Sequence, residues 1–204
     1  MIEPGLSAFA AVVLAGGRAT RLGGADKASI EIDGRTLLEH ALDAVIDAGE
    51  VVVVGEQVPT DRPVTFVVEE PRFGGPAAGL LTGRGMLLRR FPTIAVLAVD
   101  MPHLTSATFR RLHEAAIGHD GAALTDADGR RQLALVVETA RLDAVSPDLE
   151  GRHGLAIHTL LAPLDLVGVP ALGPEARDID SWSDLRDARS EQPDPRAGTD
   201  AFEG

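Results

Sequence analysis

The sequence predicts an α/β fold, an open sheet flanked by helices with ligands at the carboxyl ends of its strands. Three observations lead there. Short apolar runs rich in Val, at Phe9–Leu14, Val51–Val54 and Thr93–Val99, have the composition of strands buried on both faces. Segments with apolar residues at helical spacing alternate with them, as a sheet with crossover helices requires. The first run opens into a glycine-rich cationic loop, at the sheet edge where open α/β folds take their ligands. At 204 residues and 45% hydrophobic composition, the chain suits a single domain over 8–190. A short lead-in over 1–7 precedes it, and a tail over 191–204, rich in Pro, Asp, Gly and Arg, is expected to be disordered.

Each element has a local cause. The first strand runs over Ala8–Leu14. Ser29–Ile32 alternates and ends at the Asp33-Gly34 turn signal. Thr36 and Glu39 form a capping box for a helix to Ala48, with Leu37, Leu38, Ala41, Leu42, Val45 and Ile46 on its apolar face. Strands follow at Val51–Val54 and Val64–Val68. Gly74-Gly75-Pro76 opens a helix to Arg90, proline being suited to a first turn. After the strand at Thr93–Val99, Thr105 or Ser106 caps a helix to Ile117. Gly121–Thr125 and Leu133–Val137 read as strands around an Asp128-Gly129 turn. Helical stretches are expected at Ala140–Asp143 and His153–Leu161, a short strand at Leu164–Val169, and a last helix over Ser183–Ser190.

The loop carries the chemistry. It reads Leu14-Ala15-Gly16-Gly17-Arg18-Ala19-Thr20-Arg21-Leu22-Gly23-Gly24-Ala25-Asp26-Lys27. Glycines let backbone N–H groups approach a ligand with no Cβ in the way, and successive N–H groups make an anion-binding concavity. Arg18, Arg21 and Lys27 add fixed positive charge, so the loop is suited to phosphates. No Gly-Lys pair exists, which excludes a P-loop, and the glycines do not fit the G-x-G-x-x-G dinucleotide fingerprint. Of 19 Lys and Arg residues only Lys27 is lysine. It is either a chance survivor on the surface or a compact ammonium that a phosphate contact requires.

Composition excludes several other functions. A net charge of −12 and a pI near 4.8 leave no basic face for general nucleic-acid binding. The absence of cysteine excludes disulfides, thiolate metal sites and a cysteine nucleophile. No run of about 18 apolar residues and no basic-then-apolar leader occurs, so a cytoplasmic protein without membrane association is expected. The six histidines have no ligand-like spacing.

Two carboxylates stand out. Asp100 terminates the Thr93–Val99 run and would face the ligand crevice as a hard oxygen donor for magnesium, or else cap the Asp100-Met101-Pro102 turn. Asp180 stands where it can cap the last helix.

The glycine loop with Arg21 and Asp26-Lys27 resembles the opening motif of nucleotidyltransferases that activate small phosphorylated molecules with an NTP. Its Gly-Gly form is most similar to the molybdenum-cofactor guanylyltransferase (MobA-like) family. The resemblance spans about Ala8 to Leu185. It implies a three-layer Rossmann-like, mostly parallel sheet of the nucleotide-diphospho-sugar transferase type. It also implies Mg2+ as cofactor, and GTP or another NTP with a molybdopterin-type acceptor as partners, in an enzyme expected to be a monomer. Carried over residue by residue, it makes Arg21, Lys27 and Asp100 catalytic and Asp100 and Asp180 metal ligands, the latter in Asp178-Ile179-Asp180-Ser181-Trp182-Ser183-Asp184-Leu185. It makes Leu14, Ala15, Gly16, Gly17, Lys27, Gly55, Glu70 and Asp100 nucleotide-binding. Glu70 matches an acidic position before the Gly74-Gly75-Pro76 loop that its neighbour Glu69 could fill instead. Gly55 stands where guanine-recognising members commonly carry Asn. A CTP-dependent molybdopterin or sugar-phosphate nucleotidyltransferase, and a non-catalytic nucleotide-binding module, are the alternative readings.

Lys27→Arg keeps the charge and changes the geometry of the donor. Steady-state turnover of this variant is expected to fall by about 100-fold or more, the scale of losing one preorganised phosphate contact. Turnover near wild type would make Lys27 an ordinary surface lysine.

Overall fold

The computed structural model describes residues 9–16, 26–72, 74–179, 181 and 183–186. Its main sheet begins with β1 (Ala10–Leu14). After a 3-10 turn at Lys27–Ser29, a small ribbon forms from β2 (Glu31–Ile32) and β3 (Arg35–Thr36). Then come α1 (Leu37–Ala44), β4 (Glu50–Val54), β5 (Thr65–Val67), α2 (Pro76–Met86) and β6 (Thr93–Ala98). They are followed by α3 (Ser106–Ala115), β7 (Gly121–Thr125), β8 (Arg131–Glu138), α4 (Thr139–Val145), α5 (Ile157–Leu161) and β9 (Leu166–Pro170). A helical turn covers residues 183–186.

Seven strands order as β5-β4-β1-β6-β8-β7-β9, and every pairing is parallel except those of β8 with β6 and β7. β1, the first of the described strands, therefore lies inside the sheet between β4 and β6. Its alternation sends Ala11 and Val13 to one face and Val12 and Leu14 to the other. α1 and α3 cover the first face through Leu37, Leu38, Phe109 and Leu112, and α2, α4 and α5 cover the second through Leu80, Leu142 and Leu160. The three-layer, mostly parallel architecture follows from strands that are apolar on both sides. Among the described residues no helix is long and apolar enough to cross a membrane.

Local signals placed the starts of α1 and α3 correctly. Thr36 caps α1 with its hydroxyl on the Glu39 amide, while Glu39 returns a carboxylate to the Thr36 amide at 2.6 Å. Thr105 caps α3 in the same manner with Thr108. The reversal of β8 arises at a tight hairpin in which the Asp126 carboxylate accepts the amides of Asp128 and Arg130 at 2.9 Å each.

Helix ends differ from expectation, and distant side chains explain why. α1 stops at Ala44 instead of Ala48, because Arg62 donates to the carbonyls of Leu42, Val45, Ile46 and Ala48 and so satisfies the last turn from outside. α2 stops at Met86 instead of Arg90, where the Glu50 carboxylate takes the amides of Leu88 and Arg89. α5 begins at Ile157 instead of His153, since residues 150–152 form a 3-10 turn and His153 is extended. The alternating stretch at Ser29–Ile32 is half turn and half strand: Asp26 caps the Lys27–Ser29 turn with its carboxylate on the Ala28 amide. The lead-in, the second half of the last helix and the tail expected to be disordered lie outside the described residues.

Glu175 is a buried carboxylate with no local motif to mark it. It accepts from both terminal nitrogens of Arg111 at 2.8 and 2.9 Å, from the Thr108 hydroxyl at 2.5 Å and from the Leu172 amide at 2.7 Å. These contacts tie α3 to the segment that returns to the carboxyl edge of the sheet. Burial pushes the Glu175 carboxyl up, but the Arg111 guanidinium, the Leu172 amide and the Thr108 hydroxyl together outweigh it and hold the group below the ordinary carboxylate range. A depressed folded-state value contributes stability that is present above the ordinary carboxylate range and is lost as pH falls through the folded value. Glu175→Gln is therefore expected to lose about 2 kcal/mol at neutral pH, the scale of a hydrogen bond to a charged group. The difference from wild type in urea melts should shrink as the buffer is acidified; a deficit that persists at acid pH would refute the charge as its source.

Candidate active site

Where the parallel strands end, their backbones are stitched one residue further. The amide of Ala15 donates to the Val54 carbonyl at 2.8 Å, Val99 to Leu14 at 3.0 Å and Gly55 to Val67 at 2.8 Å. These bonds fix Ala15–Gly16 and Val99–Asp100 side by side at the rim of a cavity of about 380 Å3. Leu14, Val54 and Ala98 form its floor at the strand ends. Gly75, Pro76 and Gly79 at the start of α2 form one wall, and Leu133 of β8 forms part of another. The volume lies in the range of small-molecule sites, about 300–1,000 Å3.

The charged groups sit at the rim. Lys27 Nζ is 2.9 Å from Asp100 Oδ2, and the two side chains are only 16% and 21% exposed. Each is delivered by its own element. Asp100 follows β6, and its carbonyl accepts the Ile179 amide at 2.9 Å, which draws the C-terminal segment to the same edge. Lys27 opens the Asp26-capped turn, which α1 anchors through the Leu37 amide on the Ile30 carbonyl at 2.8 Å. Glu69 approaches from β5: its Oε2 stands 3.6 Å from where a Cβ on Gly16 would lie and 3.8 Å from one on Gly79. The start of α2 has Gly75 as N-cap at φ +89, a conformation that favours glycine, and no side chain caps it. Its first-turn amides and dipole make that wall suitable for an anion.

The structure brings together Leu14, Gly16, Lys27 and Asp100 around the cavity, with Ala15 buried behind them. Two positions stand differently from the others. Glu69, not Glu70, lines the cavity: Glu70 is exposed, and its amide and carbonyl both bond the Thr82 hydroxyl, which turns its side chain outward. Gly55 is not among the lining residues. A Cβ there would stand 3.0 Å from the Ala15 Cβ and 3.2 Å from the Gly16 amide, so glycine at this position serves the close approach of two backbones. Gly17, Arg21 and Asp180 lie outside the described residues; Ile179, one residue before Asp180, is buried beside Asp100. Leu133 also lines the cavity, on the face its parity with Leu135 sets on β8, while Glu175 carries no local signal because its partners are all distant except Leu172.

Residues 11–167 match the model of the MobA-like NTP transferase domain. The chain belongs to the MobA-like NTP transferase family. A probable molybdenum cofactor guanylyltransferase from Methanosarcina acetivorans is 29% identical over 93% of this chain and 92% of its own. A molybdenum cofactor guanylyltransferase from Acidiphilium cryptum is 35% identical over 74% and 78%. The fold is that of the crystal structure of molybdopterin-guanine dinucleotide biosynthesis protein A from Archaeoglobus fulgidus, with a TM-score of 0.66, 22% identity and coverage of 88% of this chain and 96% of that one.

For a member of this family of nucleotidyltransferases, the arrangement has a clear division of labour. The apolar floor and glycine-lined walls have the size and chemistry that a nucleotide requires, and among the described residues the rim supplies one ammonium and two carboxylates. Asp100 and Glu69 offer hard oxygen donors on one cavity, the donor set that suits a divalent cation shared with substrate phosphates. Among the described residues no group of three His, Cys, Asp or Glu could hold a metal without such help. Asp100→Asn keeps the shape of the side chain and one acceptor for Lys27. It is expected to melt near the wild-type temperature while metal-dependent turnover falls by about 100-fold or more. Normal turnover would remove Asp100 from the metal site.

Proposed function

We propose that this enzyme transfers GMP from GTP to molybdopterin with release of pyrophosphate, and that Mg2+ is its metal. The observation that carries the reading is the Lys27–Asp100 pair at 2.9 Å, on the rim of a cavity walled by the uncapped start of α2. A terminal phosphate oxygen of the acceptor attacks the α-phosphorus of the nucleotide, the new P–O bond forms, and the bond to the bridging oxygen of the β-phosphate breaks. An acceptor phosphate is already ionised, so the site needs no strong general base, and catalysis rests on positioning and charge neutralisation. The Lys27 ammonium turns from Asp100 to the phosphates and offsets charge that develops on the α-phosphoryl group. Asp100, with Glu69 and in our reading Asp180, holds the cation. When bound, that cation polarises the phosphoryl oxygens and steadies the leaving pyrophosphate. The first-turn amides of α2 and the glycine loop orient the phosphate chain.

Pyrophosphate release from GTP, CTP, ATP and UTP, each with and without molybdopterin and with Mg2+ or EDTA, tests this. Release is expected from GTP only, and only with both molybdopterin and Mg2+ present. Preferential use of CTP would transfer the assignment to a cytidylyltransferase. Tight nucleotide binding without turnover for any acceptor would make the protein a binding module.

A further inference from the structure

The segment that brings Glu69 to the cavity is fixed from outside the sheet. β5, at the sheet edge beside β4, spans three residues and ends at Val67, whose carbonyl accepts the Gly55 amide at 2.8 Å. Beyond it the chain leaves the sheet, and α2 takes hold of it at Glu70. The Thr82 hydroxyl accepts the Glu70 amide at 3.0 Å and donates to the Glu70 carbonyl at 3.2 Å, so one side chain holds both polar backbone groups of one residue. The helix that carries Thr82 is itself closely seated. A Cβ on the next residue, Gly83, would stand 2.5 Å from Val12 Cγ1 and 3.0 Å from Val54 Cγ2, so the α2 backbone rests directly on β1 and β4. Thr82 lies three residues from Gly79 on the same helix, the spacing of neighbours on one face, and the Glu69 carboxylate faces Gly79 and Gly16. Hydroxyl, pinned backbone and carboxylate thus form one short chain of contacts from a firmly packed helix to the cavity.

We propose that Thr82 is a positioning residue for the metal-bound nucleotide: its hold on Glu70 keeps the Glu69 carboxylate at the cavity, and affinity depends on that hold. The inference rests on the role proposed above for Glu69 as a donor to the cation. Glu69 is one peptide unit, about 3.8 Å, from the pinned residue, so its Cα has little freedom while the clip is closed. The clip also decides between two adjacent carboxylates: Glu70 is exposed, and Glu69 is half-buried at the cavity. Thr82 is not among the residues that line the cavity, so what it contributes passes through the segment it holds. A carboxylate held in place before the ligand arrives avoids the loss of freedom on binding, which for one side chain amounts to about 10-fold in affinity.

Calorimetric binding of GTP and CTP with Mg2+, read on whichever nucleotide the wild type binds more tightly, tests this in a double-mutant cycle. Thr82→Val keeps the shape of the side chain without its hydroxyl and should weaken binding by about 10-fold. Thr82→Ser keeps the hydroxyl and should bind as the wild type does. Exchange of the Glu70 amide, followed by NMR, should quicken in Thr82→Val and stay slow in Thr82→Ser. Glu69→Gln alone should weaken binding by about 10-fold or more. In that background Thr82→Val should add less than about 2-fold, because a hydroxyl that acts through a carboxylate has no charge left to position. Wild-type affinity in Thr82→Val, or an affinity that Thr82→Ser does not restore, would overturn the proposal. So would an equal loss from Thr82→Val in the wild-type and Glu69→Gln backgrounds, which would make Thr82 a purely structural residue. Wild-type affinity in Glu69→Gln, or no binding of either nucleotide to the wild type, would overturn it together with the role of Glu69. If the cycle is coupled but the wild type releases no pyrophosphate from GTP with molybdopterin, the proposed function fails and the positioning role stands. GMP transfer with an additive cycle means the reverse.

Discussion

Lys27 and Asp100 bring opposite charges to 2.9 Å in a partly shielded rim, and much of the surrounding structure exists to place them there. Each side chain gives the other a charged hydrogen-bond partner there. Asp100 owes its position to β6 and the bond from Val99 to Leu14. Lys27 owes its own to the Asp26 cap and the anchoring of Ile30 by α1. The cavity floor, the glycine walls and the uncapped start of α2 then surround a pair already fixed in place. The solitary lysine of an arginine-rich chain thus sets a compact ammonium, not a planar guanidinium, against the Asp100 carboxylate.

What the sequence revealed was whatever has a local cause. Continuous Val runs disclosed the central strands because burial on both faces leaves no room for polar alternation. Thr36 with Glu39, and Thr105, disclosed helix starts because their bonding partners lie three residues away. The ends of α1 and α2 were illegible for the opposite reason. Arg62 and Glu50, which stop them, are separated from those ends by long stretches of chain and act only once the chain has folded.

The candidate site divides along the same line. Lys27, Asp100, Leu14 and Gly16 were readable because they cluster in motifs that end strands. The choice between Glu69 and Glu70 was not, because it is decided by the Thr82 hydroxyl on another element. Gly55 was read as a nucleotide contact, whereas its constraint is the backbone of Ala15–Gly16 beside it. Leu133 enters the cavity from the second half of the chain, and only the pairing of β8 with β6 puts it near Ala98.

The place of β1 inside the sheet has a consequence for how the molecule is made. β1 leaves the ribosome well before its neighbours: Ala10 pairs with Glu50 on one side and with Ile94 on the other. Until residue 98 has emerged, the strip Ala10–Leu14 has an open edge of unpaired amides and carbonyls and two uncovered apolar faces. Non-local pairing of this kind is slow and leaves the nascent chain prone to association. The edge of the cleft is completed later still, when Ile179 binds the Asp100 carbonyl. A polypeptide truncated shortly after β6 would own Lys27, Asp100 and the four parallel strands that carry them, yet lack the half of the sheet that shields their flank.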